Sequence, residues 1–370
     1  MILSKPSLES PTLISIQSLR GIAALLVAWS HISRDFVYKF GVPEFPITYF
    51  APAGVDLFFI ISGFVMVYSS ERLFGQPAAP VEFFARRLAR IVPLYWAVTA
   101  VLVWFVMPYA STKAVLGSLF FTPRVPPETP LLGVGWTLVY EMFFYSVFAV
   151  ALLARRRVAV VAVVSLFLVS FILLGPASDA TSTGTAAPLR YSFAYFSDPI
   201  VLEFVYGMVI ALVFRAGIRL SISATITLLL LAVAWYVAPL PAMPRPFSFG
   251  VPAALVVAGM SLSSMPRPRL PVIIAVTLFL GDISYALYLT HDLSYTFIEW
   301  IAVRLAINPV AHTWLYASLM GALALLVASA TYLLFERPTT KFLQKRISGM
   351  GAPELISERT PRRWTVSWLR

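Results

Sequence analysis

Leu19-Arg20-Gly21-Ile22-Ala23-Ala24-Leu25-Leu26-Val27-Ala28-Trp29-Ser30-His31 is apolar enough to lie in a bilayer, yet it opens on a guanidinium and closes on an imidazole. At helical pitch the offset from Arg20 to His31 is almost three whole turns, which puts both side chains on one stripe, about 16 Å apart along the axis. Ionisable groups inside a membrane helix are costly and mark candidate functional positions. A cation at the mouth and an imidazole deeper on the same face describe a lined cavity.

Composition sets the class. The chain is 59% hydrophobic and 12% charged, with a mean hydropathy of +0.83, too much apolar surface for a soluble globule. Windows of about twenty apolar residues fall at 13–34, 50–69, 91–109, 132–153, 157–175, 198–215, 221–239, 248–263, 283–303 and 313–335. The expectation is an all-α, polytopic membrane helix bundle of about ten transmembrane helices. Leu270–Leu280 is apolar but short, and Gly281-Asp282 predicts a break, so it reads as an interfacial or re-entrant lead-in to the ninth span. With both termini cytoplasmic, 21 of the 28 Lys and Arg fall on inside segments, as the positive-inside rule requires. The net charge of +11 then reflects topology and attraction to anionic membrane lipid rather than nucleic acid.

No cleavable signal peptide is visible before the first span. Residues 1–12 read as a cytoplasmic segment, 13–342 as the membrane domain and 343–370 as a basic cytoplasmic tail, with Trp364 and Trp368 suited to the inner leaflet. Pro176–Ser197, rich in Thr, Ser, Gly and Ala, reads as an exposed loop. Zero cysteines exclude disulfides and thiolate catalysis, and three histidines leave little material for a metal cluster, so no metal site is expected.

Several polar groups interrupt the apolar windows. Asp56 lies near the outer end of the second, ahead of Ser62-Gly63, a small pair that either permits close helix packing or lines a path. Arg87 and Arg90 share a helical face and either anchor the chain at the inner surface or grip phosphate. In Trp136-Thr137-Leu138-Val139-Tyr140-Glu141-Met142-Phe143-Phe144-Tyr145, Glu141 enters the fourth span from outside and needs a partner, for which His31 is the natural candidate. Ser284, Tyr288 and His291 form a second polar stripe in the ninth span, where His291 either bonds a neighbouring helix or lines the path. Glu336-Arg337-Pro338 closes the last span, with Pro338 read as a helix stop and the charges in water.

These segments together resemble acyltransferase family 3, bacterial inner-membrane proteins that O-acylate carbohydrates. The resemblance runs from about residue 14 to 342 and rests on Gln17-Ser18-Leu19-Arg20-Gly21 with His31, Gly54-Val55-Asp56 through Ser62-Gly63-Phe64, Arg87-x-x-Arg90, Trp136 to Glu141, Ser284 to His291, and Glu336-Arg337-Pro338. Within the family, Ser15-Ile16-Gln17-Ser18-Leu19-Arg20-Gly21 and Trp136 to Tyr145 look most like exopolysaccharide-production acetyltransferases. The resemblance implies that Arg20 and His31 serve donor handling and catalysis, that Arg87 and Arg90 bind the donor, and that Glu141 belongs to the active site. Many relatives carry two consecutive glutamates where this chain has Tyr140-Glu141, and serine where it has Thr137, which leaves one carboxylate for the mechanism.

The expected chemistry is transfer of an acetyl or other short acyl group from acyl-CoA to a sugar hydroxyl of an exopolysaccharide or its lipid-linked precursor. His31 would be the base, oriented by Glu141. Arg20, Arg87 and Arg90 would hold acyl-CoA, a donor substrate rather than a resident cofactor, and Asp56, Ser62, Ser284, Tyr288 and His291 would line the path or the acceptor site. Polysaccharide-assembly proteins are candidate partners. Direct transfer and an acyl-histidine intermediate both stay open, as does the side from which the acceptor enters. A secondary transporter of an anionic or sugar substrate would share the ten spans and buried ionisable groups. So would a structural partner in polysaccharide assembly, which would not need His31.

Overall fold

The computed structural model describes residues 11–42, 53–123, 130–175, 187–238, 243–264 and 271–350. Residues 1–10, the first half of the Pro176–Ser197 loop, and the tail beyond residue 350 with Trp364 and Trp368 lie outside them. The described residues are helical, with no strand and a single isolated bridge between Leu220 and Ser263. In chain order they form α1 (Pro11–Tyr38), α2 (Ala53–Ser69), α3 (Ala79–Phe105), the short α4 (Thr112–Leu119), α5 (Gly135–Ala151), α6 (Arg157–Leu174) and α7 (Ala187–Phe196). Then come α8 (Leu202–Arg215), α9 (Ile222–Val237), α10 (Val251–Leu262), α11 (Pro271–Arg304), α12 (Thr313–Thr331) and α13 (Arg337–Met350).

Each of the ten apolar windows overlaps one of these helices. Four helical stretches are long and apolar enough to cross a membrane: Ala79–Phe105, Arg157–Leu174, Val272–Arg304 and Thr313–Ile347. Four more are apolar but shorter. Leu166, Leu173 and Leu174 on α6 and Leu230, Leu231 and Val233 on α9 are exposed, an outward apolar surface that suits lipid and not water.

The first and eleventh helices pack as a parallel pair. Gln17 Nε2 donates to Asp282 Oδ1 at 2.8 Å, the Tyr295 hydroxyl donates to the Ala28 carbonyl at 3.0 Å, and Lys39 Nζ meets Glu299 Oε1 at 2.7 Å. Residue numbers rise together on the two helices, which fixes their sense. Small residues permit the approach: a Cβ at Gly21 would stand 2.9 Å from the Leu280 Cβ, and one at Gly281 would overlap the Gln17 carbonyl oxygen. Helices α2 and α8 form a second parallel pair, with Asp56 beside Glu203, Phe59 against Phe204 and Phe64 against Phe214. There Gly63 lies against the Phe204 backbone, so close packing is the role of the Ser62-Gly63 step at this glycine.

Three expectations are corrected. The predicted break at Gly281-Asp282 is absent, because Gly281 is spent on packing against α1 and α11 runs unbroken for 34 residues, about 51 Å at helical rise. Pro338 does not stop the last helix: a π turn, Tyr332–Glu336, links α12 to α13, and Pro338 follows that widened turn as the second residue of α13. Residues 343–350 therefore belong to a helix. Finally, the end of the Pro176–Ser197 loop is helical as α7, held by Tyr195 stacking on Tyr140 at 4.6 Å and accepting the Tyr140 hydroxyl at its carbonyl.

Gly281→Ala is expected to push α1 from α11 and to lower stability in detergent by about 1–3 kcal/mol. Gly321→Ala, where a Cβ meets nothing within 4 Å, is the control. Thermal unfolding of the two purified variants checks this, and equal melting temperatures would remove the close crossing.

Candidate active site

The parallel pair of α1 and α11 brings His31 to Asp292. The His31 Nδ1 lies 2.7 Å from Asp292 Oδ1, and both side chains are partly accessible. A carboxylate only accepts, so Nδ1 carries the proton and Nε2 presents its lone pair. Arg34 Nη2 stands 3.1 Å from the same nitrogen and cannot donate to it once Nδ1 is protonated, so it acts as a charge beside the pair. His291 stands edge-on to His31, ring centroids 4.7 Å apart, and is almost fully buried. Two imidazoles and a carboxylate, with ligating atoms all within 4.8 Å of one another, could hold a metal ion. Against that, the hydrogen bond to Asp292 already engages His31 Nδ1, and the Arg34 guanidinium sets a positive charge beside it.

Glu141 is placed elsewhere, which corrects the expected His31 to Glu141 partnership. The residues leading into and along α5 run antiparallel to α11. Gly133 faces Asp292, and the Thr137 hydroxyl lies 2.6 Å from that of Tyr288. Continuing that register puts Glu141 at the level of Ser284, about 12 Å along the axis from Asp292. There Glu141 accepts a hydrogen bond from Tyr145 at 3.1 Å and lies in the field of Arg87, Arg90 and Arg20. Ser62 reaches the same Tyr145 hydroxyl.

Arg20 itself donates to Ser284 Oγ at 3.0 Å and to Gln17 Oε1 at 2.8 Å. Arg90, Glu336, Asp282 and Glu141 are its charged neighbours. Arg87 donates to Ser69 and lies over the rings of Phe83 and Tyr145. The three arginines read from the sequence thus converge at one end of the stripe. Glu336 is also there, buried rather than in water, because the π turn rolls it inward toward Arg90 and Arg20.

Asp56 belongs to a separate cluster. Arg245 forks onto it, Nε to Oδ1 at 3.0 Å and Nη2 to Oδ2 at 2.8 Å, and Glu203 lies beside it with no exposure. Tyr288 connects this region with the stripe: its ring packs on Phe58, its hydroxyl donates to the Val134 carbonyl, and it senses both Asp292 and Arg245. His312 is exposed at the start of α12.

Asp292, Arg34, Arg245 and Glu203 were not singled out from the sequence. Asp292 had a signal, since Ser284, Tyr288 and Asp292 recur every fourth residue and share a helical face. Arg245 had none, because nothing local ties it to a residue 189 positions earlier.

An acyltransferase-domain family matches residues 13–333. The chain is 34% identical over 300 residues to an exopolysaccharide production protein, ExoZ, of Rhizobium meliloti (strain 1021), covering 77% of this chain and 88% of that one. It is 27% identical over 386 residues to acyltransferase MdmB of Streptomyces mycarofaciens, covering 94% and 97%. It is also 27% identical over 353 residues to nodulation protein 10 of Rhizobium leguminosarum bv. viciae, covering 85% and 88%. No solved structure matches the chain.

The buried fork at Asp56 yields a test independent of chemistry. Arg245→Ala leaves two buried carboxylates without their cation and is expected to cost about 3 kcal/mol, the low end for a broken buried pair because Arg245 is a third exposed. Pairing it with Asp56→Asn should recover part of that loss, read as melting temperature in detergent.

Proposed function

The chain belongs to the acyltransferase-domain family matched over residues 13–333 and is an enzyme that transfers acyl groups; on that premise we propose that it is a membrane O-acyltransferase of the bacterial inner membrane. It moves an acetyl or other short acyl group from acyl-CoA to a sugar hydroxyl of an exopolysaccharide or its lipid-linked precursor. The observation that carries the reading is the polar stripe between α1 and α11, with Arg20 on Ser284 at one end and His31 on Asp292 at the other. A donor with a charged head and a distant thioester matches that separation of cation and base.

The ten-span topology with both termini cytoplasmic is part of the proposal. In that count α1 and α11 are the first and ninth spans, and α2 and α8 the second and sixth. Each pair must point the same way, and each pair is parallel. Gln17, Arg20, Arg87, Arg90 and Glu141 then lie toward the cytoplasm, and His31 with Arg34 lies toward the outer face.

In the proposed reaction Arg20, Arg87 and Arg90 hold the donor's phosphates, while Glu141 and Tyr145 keep the arginines oriented between substrates. The pantetheine arm extends along the stripe and brings the thioester to His31. A sugar hydroxyl attacks the carbonyl carbon as His31 Nε2 takes its proton. Asp292, accepting from Nδ1, stabilises the imidazolium that forms, the role first assigned to Glu141. Collapse of the tetrahedral adduct breaks the C–S bond, the acyl group stays on the sugar oxygen, and His31 returns the proton to the departing sulfur.

Proton NMR of cell-surface polysaccharide from strains with the protein, without it, and with His31→Ala tests the reading. O-acetyl signals are expected only in the first, and equal signals in all three would overturn the assignment to acetylation. In membranes supplied with acetyl-CoA, Asp292→Asn is expected to lower kcat for CoA release about 10²–10⁴-fold. Arg20→Ala should instead raise the KM for acetyl-CoA.

A further inference from the structure

His291 touches the His31 to Asp292 pair, yet the proton transfer described above does not use it. Its Nδ1 lies 3.0 Å from the Leu287 carbonyl, a group that only accepts, so the Nδ1 carries the proton and Nε2 the lone pair. That Nε2 is buried with no hydrogen-bond partner among the described residues and lies 3.5 Å from Asp292 Oδ1. The ring is 1% exposed and stands at 90° to His31. A buried acceptor 3.5 Å from a carboxylate oxygen is an arrangement that packing alone does not call for, since two lone pairs repel.

We infer that neutral His291 is a positioning residue: by offering Asp292 a lone pair instead of a proton, it keeps the carboxylate committed to His31 and props the His31 ring edge-on. This rests on the reading of His31 as the base. A second donor on Oδ1 would share the carboxylate's charge and leave less of it to stabilise the His31 imidazolium. The charged and titratable groups facing the pair are Arg34 from α1 and Tyr288, His291 and Tyr295 from α11. The turn before α5 contributes Gly133, and α2 contributes Phe58 against Tyr288, neither of which titrates.

Full-length His291→Gln, His291→Phe and His31→Ala proteins, compared as membranes from the polysaccharide-producing strain with acetyl-CoA as donor, test the inference by CoA release across pH. The Gln amide gives Asp292 a second donor. It is expected to lower kcat about tenfold, leave the KM for acetyl-CoA unchanged and move the acid limb of the pH profile to lower pH. The Phe variant keeps the ring contact without either nitrogen and should lose less. If the Phe protein is lost from the membrane on immunoblot, His291→Asn replaces it, since its amide can still meet Leu287 while offering Asp292 nothing. A Gln variant with the parent kcat and pH profile, alongside inactive His31→Ala, overturns this inference and leaves the base intact. Full activity of His31→Ala overturns the base itself. Loss of parent activity to a chelator with recovery on adding zinc would overturn the positioning role in favour of a metal held by the same three residues.

Discussion

Gly21 and Gly281 let α1 and α11 meet backbone to backbone, and the polar geometry of the molecule follows from that contact. Two helices this close and parallel have their side chains registered along their whole shared length. Gln17 meets Asp282, Arg20 meets Ser284, His31 meets Asp292 and Lys39 meets Glu299. In hydrocarbon an unmatched polar group costs several kcal/mol, so a slip of one turn would break the part-buried rungs at Arg20 and His31 together. The glycines set the distance, and the polar rungs set the register.

Opposite helix directions sort the carboxylates into two duties. Because α5 runs antiparallel to α11, its Thr137 reaches Tyr288 while Glu141 falls among Arg20, Arg87 and Arg90. Because α11 runs with α1, Asp292 arrives at the depth of His31. The π turn at Tyr332–Glu336 adds Glu336 to the arginine end. One end of the stripe is thus a balanced set of cations and carboxylates suited to exchanging partners with an anionic ligand. The other is an oriented imidazole.

Much of this was legible in the residues. Membrane class and the apolar windows follow from composition and run length, and the faces of α1, α5 and α11 follow from a 3.6-residue period, which is why Arg20, His31, Ser284, Tyr288 and His291 were found on stripes that do meet. Local signals misled where packing overruled them. Gly281-Asp282 looked like a break, but its missing side chain is occupied by the Gln17 backbone, and Pro338 looked like a stop, but a π turn carries the helix past it.

By itself the sequence determined the helical membrane class, the positions of the apolar segments, the family resemblance and the faces on which ionisable residues lie, because all of these depend on spacing within one helix. Only the tertiary structure decided which face meets which. Partner choice depends on helix direction, depth and crossing distance, set by contacts between residues 189 and 261 positions apart. That is why His31 is bonded to Asp292 and not to Glu141, and why Asp56 answers to Arg245.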